Sequence, residues 1–268
     1  MFREAFAATR IRSVIAALLI GVMTISTAGA QSTPVPASAS WQLTALAESV
    51  VSTPRWFTGT DGQVHLVYEL MLTNAIPAPV TVTSVEVLDA DSGATVISLR
   101  GDALLAAMSL LTLLETPAVQ LPPSTVGVVW FDIPLASEDA LPASIEHRVS
   151  VELPPDLAVD PAMLTSTGAP VAVDQRAPVV IGPPLVGSGW LALGSCCDGP
   201  HRRSLFAVNG EWRLGQRMAI DFNQLDAQNR PGTGDPLLYT SFPTYGQPVI
   251  AVADATVVEA VDRFPDLN

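Results

Sequence analysis

The sequence predicts an all-β protein: an antiparallel sandwich followed by a second, incomplete β-rich part. Three observations carry that reading. Val64, Leu66, Tyr68, Leu70 and Leu72 alternate with His65, Glu69 and Thr73, the period-2 signature of a strand with one buried face. Further short apolar runs recur between clusters of turn-forming residues. A stretch with seven prolines between Pro154 and Pro184 then divides the chain in two.

At the start, Arg3, Arg10 and Arg12 precede an apolar run from Val14 to Met23, and Ala28-Gly29-Ala30 closes it. This predicts a signal peptide over residues 1–30, cut before Gln31, and hence a secreted or cell-envelope, extracytoplasmic protein. The apolar run is only about half the ~20 residues needed to cross a bilayer, so no transmembrane anchor is expected after cleavage. No cysteine lies near the cut, so no lipid anchor is indicated either. Residues 31–40, QSTPVPASAS, lack charge and aromatic side chains and read as a flexible spacer.

The sandwich domain is expected over residues 41–153. After the Val64 strand come candidates at Val80 to Leu88, Ala94 to Leu99, Thr125 to Ile133 and His147 to Leu153. Asn74 to Pro79, Asp89 to Gly93, Pro122-Pro123 and Pro134 to Pro142 punctuate them. Short strands at such intervals resemble an immunoglobulin-like antiparallel sandwich. Gly101 to Leu114 reads as a short helix or a loop with one helical turn, its Leu104 to Leu114 run buried. His65 and Glu69 would face one side of their strand about 13 Å apart at ~3.3 Å per residue, too far to form a site. His65 and His147 are both expected as surface histidines, since neither has metal-ligand spacing or a nucleophile elbow around it.

Residues 154–184 form the proline-rich connection, with Val179 to Ile181 a candidate first strand of the second domain. That incomplete domain spans residues 185–268. Composition limits the partners. Of the 268 residues, 26 are acidic and 13 basic, a net charge of −13; removing the signal segment, with Glu4 and three arginines, leaves −15 on 238 residues. Nucleic acid and anionic membrane surfaces both reward clustered positive charge, so neither is an expected partner. A hydrophobic share of 49% excludes a largely disordered chain.

The two cysteines, Cys196 and Cys197, are adjacent within GSCCDGPHRR. In an oxidising compartment they form a vicinal disulfide in a turn, pair with another molecule, or stay free; the flanking glycines and Pro200 favour the first. A soft metal site from either cysteine with His201 is the functional alternative, although neither C-x-x-C nor H-x-x-x-H occurs.

The segment from Gly215 onward carries the most specific signal. GQRMAIDF, a long loop, and then Tyr245-Gly246-Gln247-Pro248-Val249-Ile250-Ala251-Val252-Ala253 resemble the opening of a LytM/lysostaphin-type zinc peptidase domain, a family built on a duplicated hybrid motif that cuts peptide cross-links in bacterial cell walls. The resemblance covers roughly 45 to 55 residues. In that family a strand carries His-x-x-x-Asp, both zinc ligands; here Asp221 stands at the Asp position and Arg217 at the His position. A guanidinium has donors only and cannot ligate zinc. Arg217 is therefore expected to pair with Asp221 or Asp226, and His201 is the candidate to supply the missing nitrogen beside Asp221.

The resemblance also implies the remaining site, a His after a tyrosine and a His-x-His pair, downstream of Asn268. It further predicts a strand from Met218 to Phe222 ending in the ligand acid, and a strand or hairpin over Val249 to Val261, with Asp254-Ala255 where relatives place glycine at the turn. An edge left unpaired at Asn268 suggests a fragment. The loop Asn223 to Thr244 would shape a cleft; Tyr239, Phe242 and Tyr245 either stack on a ligand there or pack the loop on itself.

The function implied is that of a peptidoglycan endopeptidase in which zinc polarises the peptide carbonyl and activates water. The other readings are a non-catalytic relative that binds cell-wall peptide or regulates a hydrolase, and a purely adhesive or scaffolding sandwich. No GxGxxG, P-loop, G-x-S-x-G or HExxH pattern occurs, so nucleotide and serine-hydrolase chemistries are not suggested.

Overall fold

The structure, a computed structural model, describes residues 42–194 and 200–262. Residues 1–41, which include the expected signal peptide and spacer, and Cys196-Cys197 lie outside the described residues. The described residues are all-β in antiparallel sheets, with one short α-helix among them. In chain order it forms β1 (Leu46–Val50), β2 (Arg55–Thr58), β3 (Val64–Asn74), β4 (Val80–Asp89) and β5 (Thr95–Arg100), then α1 (Gly101–Ala107). Next come β6 (Met108–Leu110), β7 (Leu113–Pro117), β8 (Gln120–Leu121), β9 (Val126–Leu135) and β10 (Ser144–Glu152). Short β11 (Thr165–Thr167) and β12 (Val171–Ala172) come after them. The C-terminal part holds β13 (Trp190–Leu193), β14 (Leu205–Val208), β15 (Glu211–Leu214) and β16 (Asp221–Gln224).

Two sheets share one core. The first runs β1-β3-β9-β6-β7, with β2 also on β3; the second runs β11-β10-β4-β5, with β12 on β10 and β8 on β4. Leu66, Tyr68, Leu70 and Leu72 of β3 and Val129, Phe131 and Ile133 of β9 meet Val80, Val82, Val85 and Val87 of β4 and Ile145, Val149 and Val151 of β10. These alternating branched and aromatic side chains suit a pleated, half-buried surface, and each fully buried one contributes on the order of 1.5–3 kcal/mol. Gly127 in β9 is needed for close packing, because a Cβ there would sit 2.5 Å from Met108 Cε and 2.8 Å from Leu121 Cδ2. Asn74 closes the end of β3: its amide nitrogen donates to the carbonyls of Ala78 and Leu121 at 2.8 and 2.9 Å.

The first sheet is buried on both faces over its central strands, which simple alternation does not predict. Val67, Glu69 and Met71 lie on the polar phase of β3, yet all are buried. The reason is a third layer: Met71, Val128 and Trp130 form a second apolar cluster with Leu205 of β14, and Leu214 of β15 packs against it. Thus the chain beyond residue 200 docks on the outer face of the first sheet. There Trp130 Nε1 donates to Ser109 Oγ at 3.1 Å, which satisfies its only polar side-chain atom.

Four expectations require correction. His147 is not a surface residue: it shares its phase with Ile145, Val149 and Val151, is buried, and places Nε2 3.0 Å from Tyr68 OH, beside Phe131. The Leu104 to Leu114 run is divided: in α1, Leu104 is buried and Leu105 exposed because one side of the helix faces the core, while Met108 of β6 is buried and Leu113 of β7 exposed. Val179 to Ile181 forms no strand and is exposed. Among the described residues 249–262 there is likewise no strand; Val249 makes one isolated bridge to Leu185, supported by Ile250 N to Pro184 O and Gly182 N to Val252 O, each 2.8 Å. Among the described residues, no helix is long and apolar enough to cross a membrane.

Burial drives the His147 pKa down to about 4 from its ordinary value of 6.5. The unfolded chain therefore takes up that proton first as pH falls, so the stability it contributes is full above about pH 6.5 and drains away toward pH 4. The loss should reach about 3 kcal/mol, since each pH unit between the two values is worth ~1.4 kcal/mol. Denaturant unfolding at pH 7 and pH 4 measures it, and His147→Gln, which still offers Tyr68 an acceptor, should flatten most of the difference.

Candidate metal site and the Arg217 joint

Asp221 opens β16 and pairs across the ladder with Leu193 of β13. It therefore begins its strand rather than ending it, a three-residue shift from the expected Met218 start. Immediately after Leu193, Gly194 adopts φ +62, a left-handed conformation that glycine reaches without strain. A Cβ at Gly194 would sit 3.1 Å from His201 Cε1 and 3.2 Å from Asp221 Oδ2. The bare backbone there lets the two side chains meet. His201, in the 3-10 turn Pro200–Arg203, places Nε2 3.4 Å from Asp221 Oδ2.

The other ring nitrogen decides what that contact can be. His201 Nδ1 lies 3.2 Å from the Ala219 carbonyl, and a carbonyl only accepts, so Nδ1 carries the hydrogen. Nε2 then faces the carboxylate either with a second proton, as imidazolium, or with a lone pair. Two lone pairs repel, so the arrangement calls for a cation, proton or metal, between them. A backbone carbonyl fixing the far nitrogen is the usual support of a metal-ligating histidine. The 3.4 Å separation exceeds an ordinary N–H···O bond of about 2.7–3.2 Å. It is close to the roughly 3.3 Å edge of a tetrahedron with zinc–ligand distances of ~2.0 Å. The pair offers two metal-capable donors, one imidazole nitrogen and one carboxylate oxygen. Among the described residues no cluster of three or more His, Cys, Asp or Glu side chains completes it.

The His201 turn is gripped by the two-sheet body. Arg202 donates from Nη2 to the Trp130 carbonyl and Arg203 from Nη1 to the Leu114 carbonyl, each at 2.8 Å. Ser204 Oγ donates to the His201 carbonyl at 2.7 Å and accepts from Gln216 N at 3.1 Å, closing the turn. His201 is consequently held with its side chain 11% exposed, while that of Asp221 is 61% exposed.

Arg217 pairs with neither Asp221 nor Asp226. Asp226 is taken by Arg230, its pKa lowered by that guanidinium. Arg217 instead reaches back 148 residues to Glu69 of β3, its Nη2 in contact with the Glu69 carboxylate and 2.9 Å from Ser52 Oγ. Ser52 Oγ also donates to Glu69 Oε2 at 3.2 Å. The side chains of Arg217 and Glu69 are only 9% and 3% exposed. Burial, with help from the charge of Arg55, lowers the Arg217 pKa to about 10, so it remains charged at neutral pH. Arg217 is thus a structural joint between two layers.

The other sequence candidates resolve plainly. His65 does not meet Glu69: Nδ1 lies 2.7 Å from Asp132 Oδ1 and Nε2 3.2 Å from Asp61 Oδ1, and Asp132 foremost raises its pKa. Tyr239 and Tyr245 stack on each other with centroids 5.8 Å apart, packing the loop on itself. Comparison of the chain with protein-family models, with curated proteins and with solved structures gives no match in any of the three.

Removing one partner of a buried ion pair leaves an uncompensated charge, at a cost of about 3–5 kcal/mol. Arg217→Met should therefore lower the unfolding free energy by about that amount, while Arg217→Met combined with Glu69→Leu should recover most of it. Urea titration of the single and double variants gives the comparison.

Proposed function

We propose that the chain is an exported zinc-peptidase-like protein of the LytM/lysostaphin type, with His201 and Asp221 as its two zinc-holding side chains. The observation that carries this reading is the His201–Asp221 contact at 3.4 Å, with His201 Nδ1 occupied by the Ala219 carbonyl. Zinc at such a pair supplies Lewis acidity, polarising a peptide carbonyl and lowering the pKa of water. This chain's own part is to hold the imidazole in the tautomer that leaves Nε2 free for a cation, to keep the backbone at Gly194 bare, and to pin the turn through Arg202 and Arg203. The two-sheet body, read as an immunoglobulin-like sandwich, is then a scaffold for the site rather than a detached spacer. Cell-wall peptide is the substrate class that the resemblance suggests, and the signal-like first 30 residues suit that address.

One observation favours a second reading, a non-catalytic cell-wall binding or hydrolase-regulating protein. Arg217 is consumed in the joint with Glu69, and two candidate ligands are fewer than the three protein ligands of catalytic zinc sites. Elemental analysis of the purified protein separates the readings. About one zinc per chain, lost in both His201→Ala and Asp221→Ala, is expected from the proposed site. A folded protein without zinc above background would sink the peptidase reading and leave the binding role, which sedimentation with purified peptidoglycan would then measure.

A further inference from the structure

We infer that the cleft between the β1–β2 connection and the β15–β16 connection binds the terminal carboxylate of a short, largely uncharged peptide through Arg55, Arg213 and Arg217. The cleft has a volume of about 620 Å³, within the range of sites that take a small organic molecule or a few residues of peptide. Its lining brings together three of the protein's thirteen arginines, although the whole chain carries a net charge of −13.

None of the three guanidinium groups is saturated. Arg217 uses Nη2 for Glu69 and Ser52, but its Nε is buried without a hydrogen-bond partner, and its side chain is only 9% exposed. A buried donor left unmet costs free energy. Arg55 reaches Asp174 only at 3.8 Å, and Arg213 pairs with Glu211 at the exposed surface; both arginine side chains are 62% exposed. Arg55 also helps depress the Arg217 pKa, so the two cations feel each other across the cleft. An anion between them would relieve that repulsion, and guanidinium forks match a carboxylate in two parallel hydrogen bonds.

The rest of the lining defines the ligand further. Trp212, Leu214 and Met218 give apolar contact beside the charges, which suits an amphipathic molecule better than a small inorganic anion. The acidic protein would repel a polyanion at long range but tolerate a single carboxylate. Ala219 lines the cleft and also holds His201 through its carbonyl, so a peptide seated there lies next to the candidate metal site.

The test is isothermal titration of the full chain, in excess chelator, with N-acetyl-alanyl-alanine and with the same dipeptide as its C-terminal amide. The acid should bind and the amide should not. Arg55→Ala with Arg213→Ala should weaken the acid on the order of tenfold or more, the loss of two charge-assisted contacts, while the double Lys variant should weaken it less. Circular dichroism checks that the double variants are folded. Equal binding of acid and amide, no binding of the acid, or an unchanged affinity in the folded Ala variant would each overturn the inference. Because the titration is done without metal, and zinc content of the Ala variant should match the wild type, failure of the cleft and failure of the zinc reading remain distinguishable.

Discussion

The buried pair of Arg217 and Glu69 is the constraint on which the third layer depends. A carboxylate on the outer face of β3 belongs in water, and an apolar layer laid over it would strand a charge at a cost of several kcal/mol. Arg217 removes that penalty, and Ser52 satisfies more of the carboxylate from the side. The joint therefore acts as a register mark: shifting the C-terminal segment by one residue would bring Gln216 or Met218 to Glu69 and leave the charge alone. Around it, Arg202 and Arg203 are pinned to backbone carbonyls of β9 and β7 respectively, and Leu205 enters the apolar cluster of Met71, Val128 and Trp130.

That docking explains how a loop residue such as His201 acquires a fixed position. Its turn is short, but the arginines on its C-terminal side anchor it to a sheet whose other face is a packed core. Asp221 is placed independently, through the β13–β16 ladder, and Gly194 allows the two to converge. Precise placement of two donors from separate elements is what a metal site requires, since ligand geometry tolerates little error.

Much of the two-sheet body is legible in the sequence because its signals are local. Five strands fall close to their expected positions, and Gly101 opens the short helix expected there. His147 reads wrongly as a surface residue because its residue type outweighs its phase, although Ile145, Val149 and Val151 already mark that phase as internal. Glu69 cannot be read at all, since its partner lies 148 residues away and its polar phase is normal for a solvated face. Conversely, the apolar run over Val249 to Val261 suggests a strand or hairpin that does not form, because a strand needs a neighbour to accept its backbone bonds and, among the described residues, only Leu185 bridges to it. The meeting of His201 with Asp221 is legible only through the chemistry that the resemblance implies, by asking which residue could stand beside Asp221 in place of Arg217; neither spacing nor periodicity points to it.

The double-sided burial of β3 also imposes an order in time. Arg217 follows Glu69 by 148 residues, so any state with the first two layers formed and the third not yet docked leaves that carboxylate facing solvent. Contacts spanning such separations close slowly, because a long loop must be ordered before they return any energy. The outer face of the first sheet, with Met71, Val128 and Trp130, would be an exposed apolar surface in that state. In such a state a carboxylate in its midst would oppose self-association of that face, as charges flanking exposed apolar strands do.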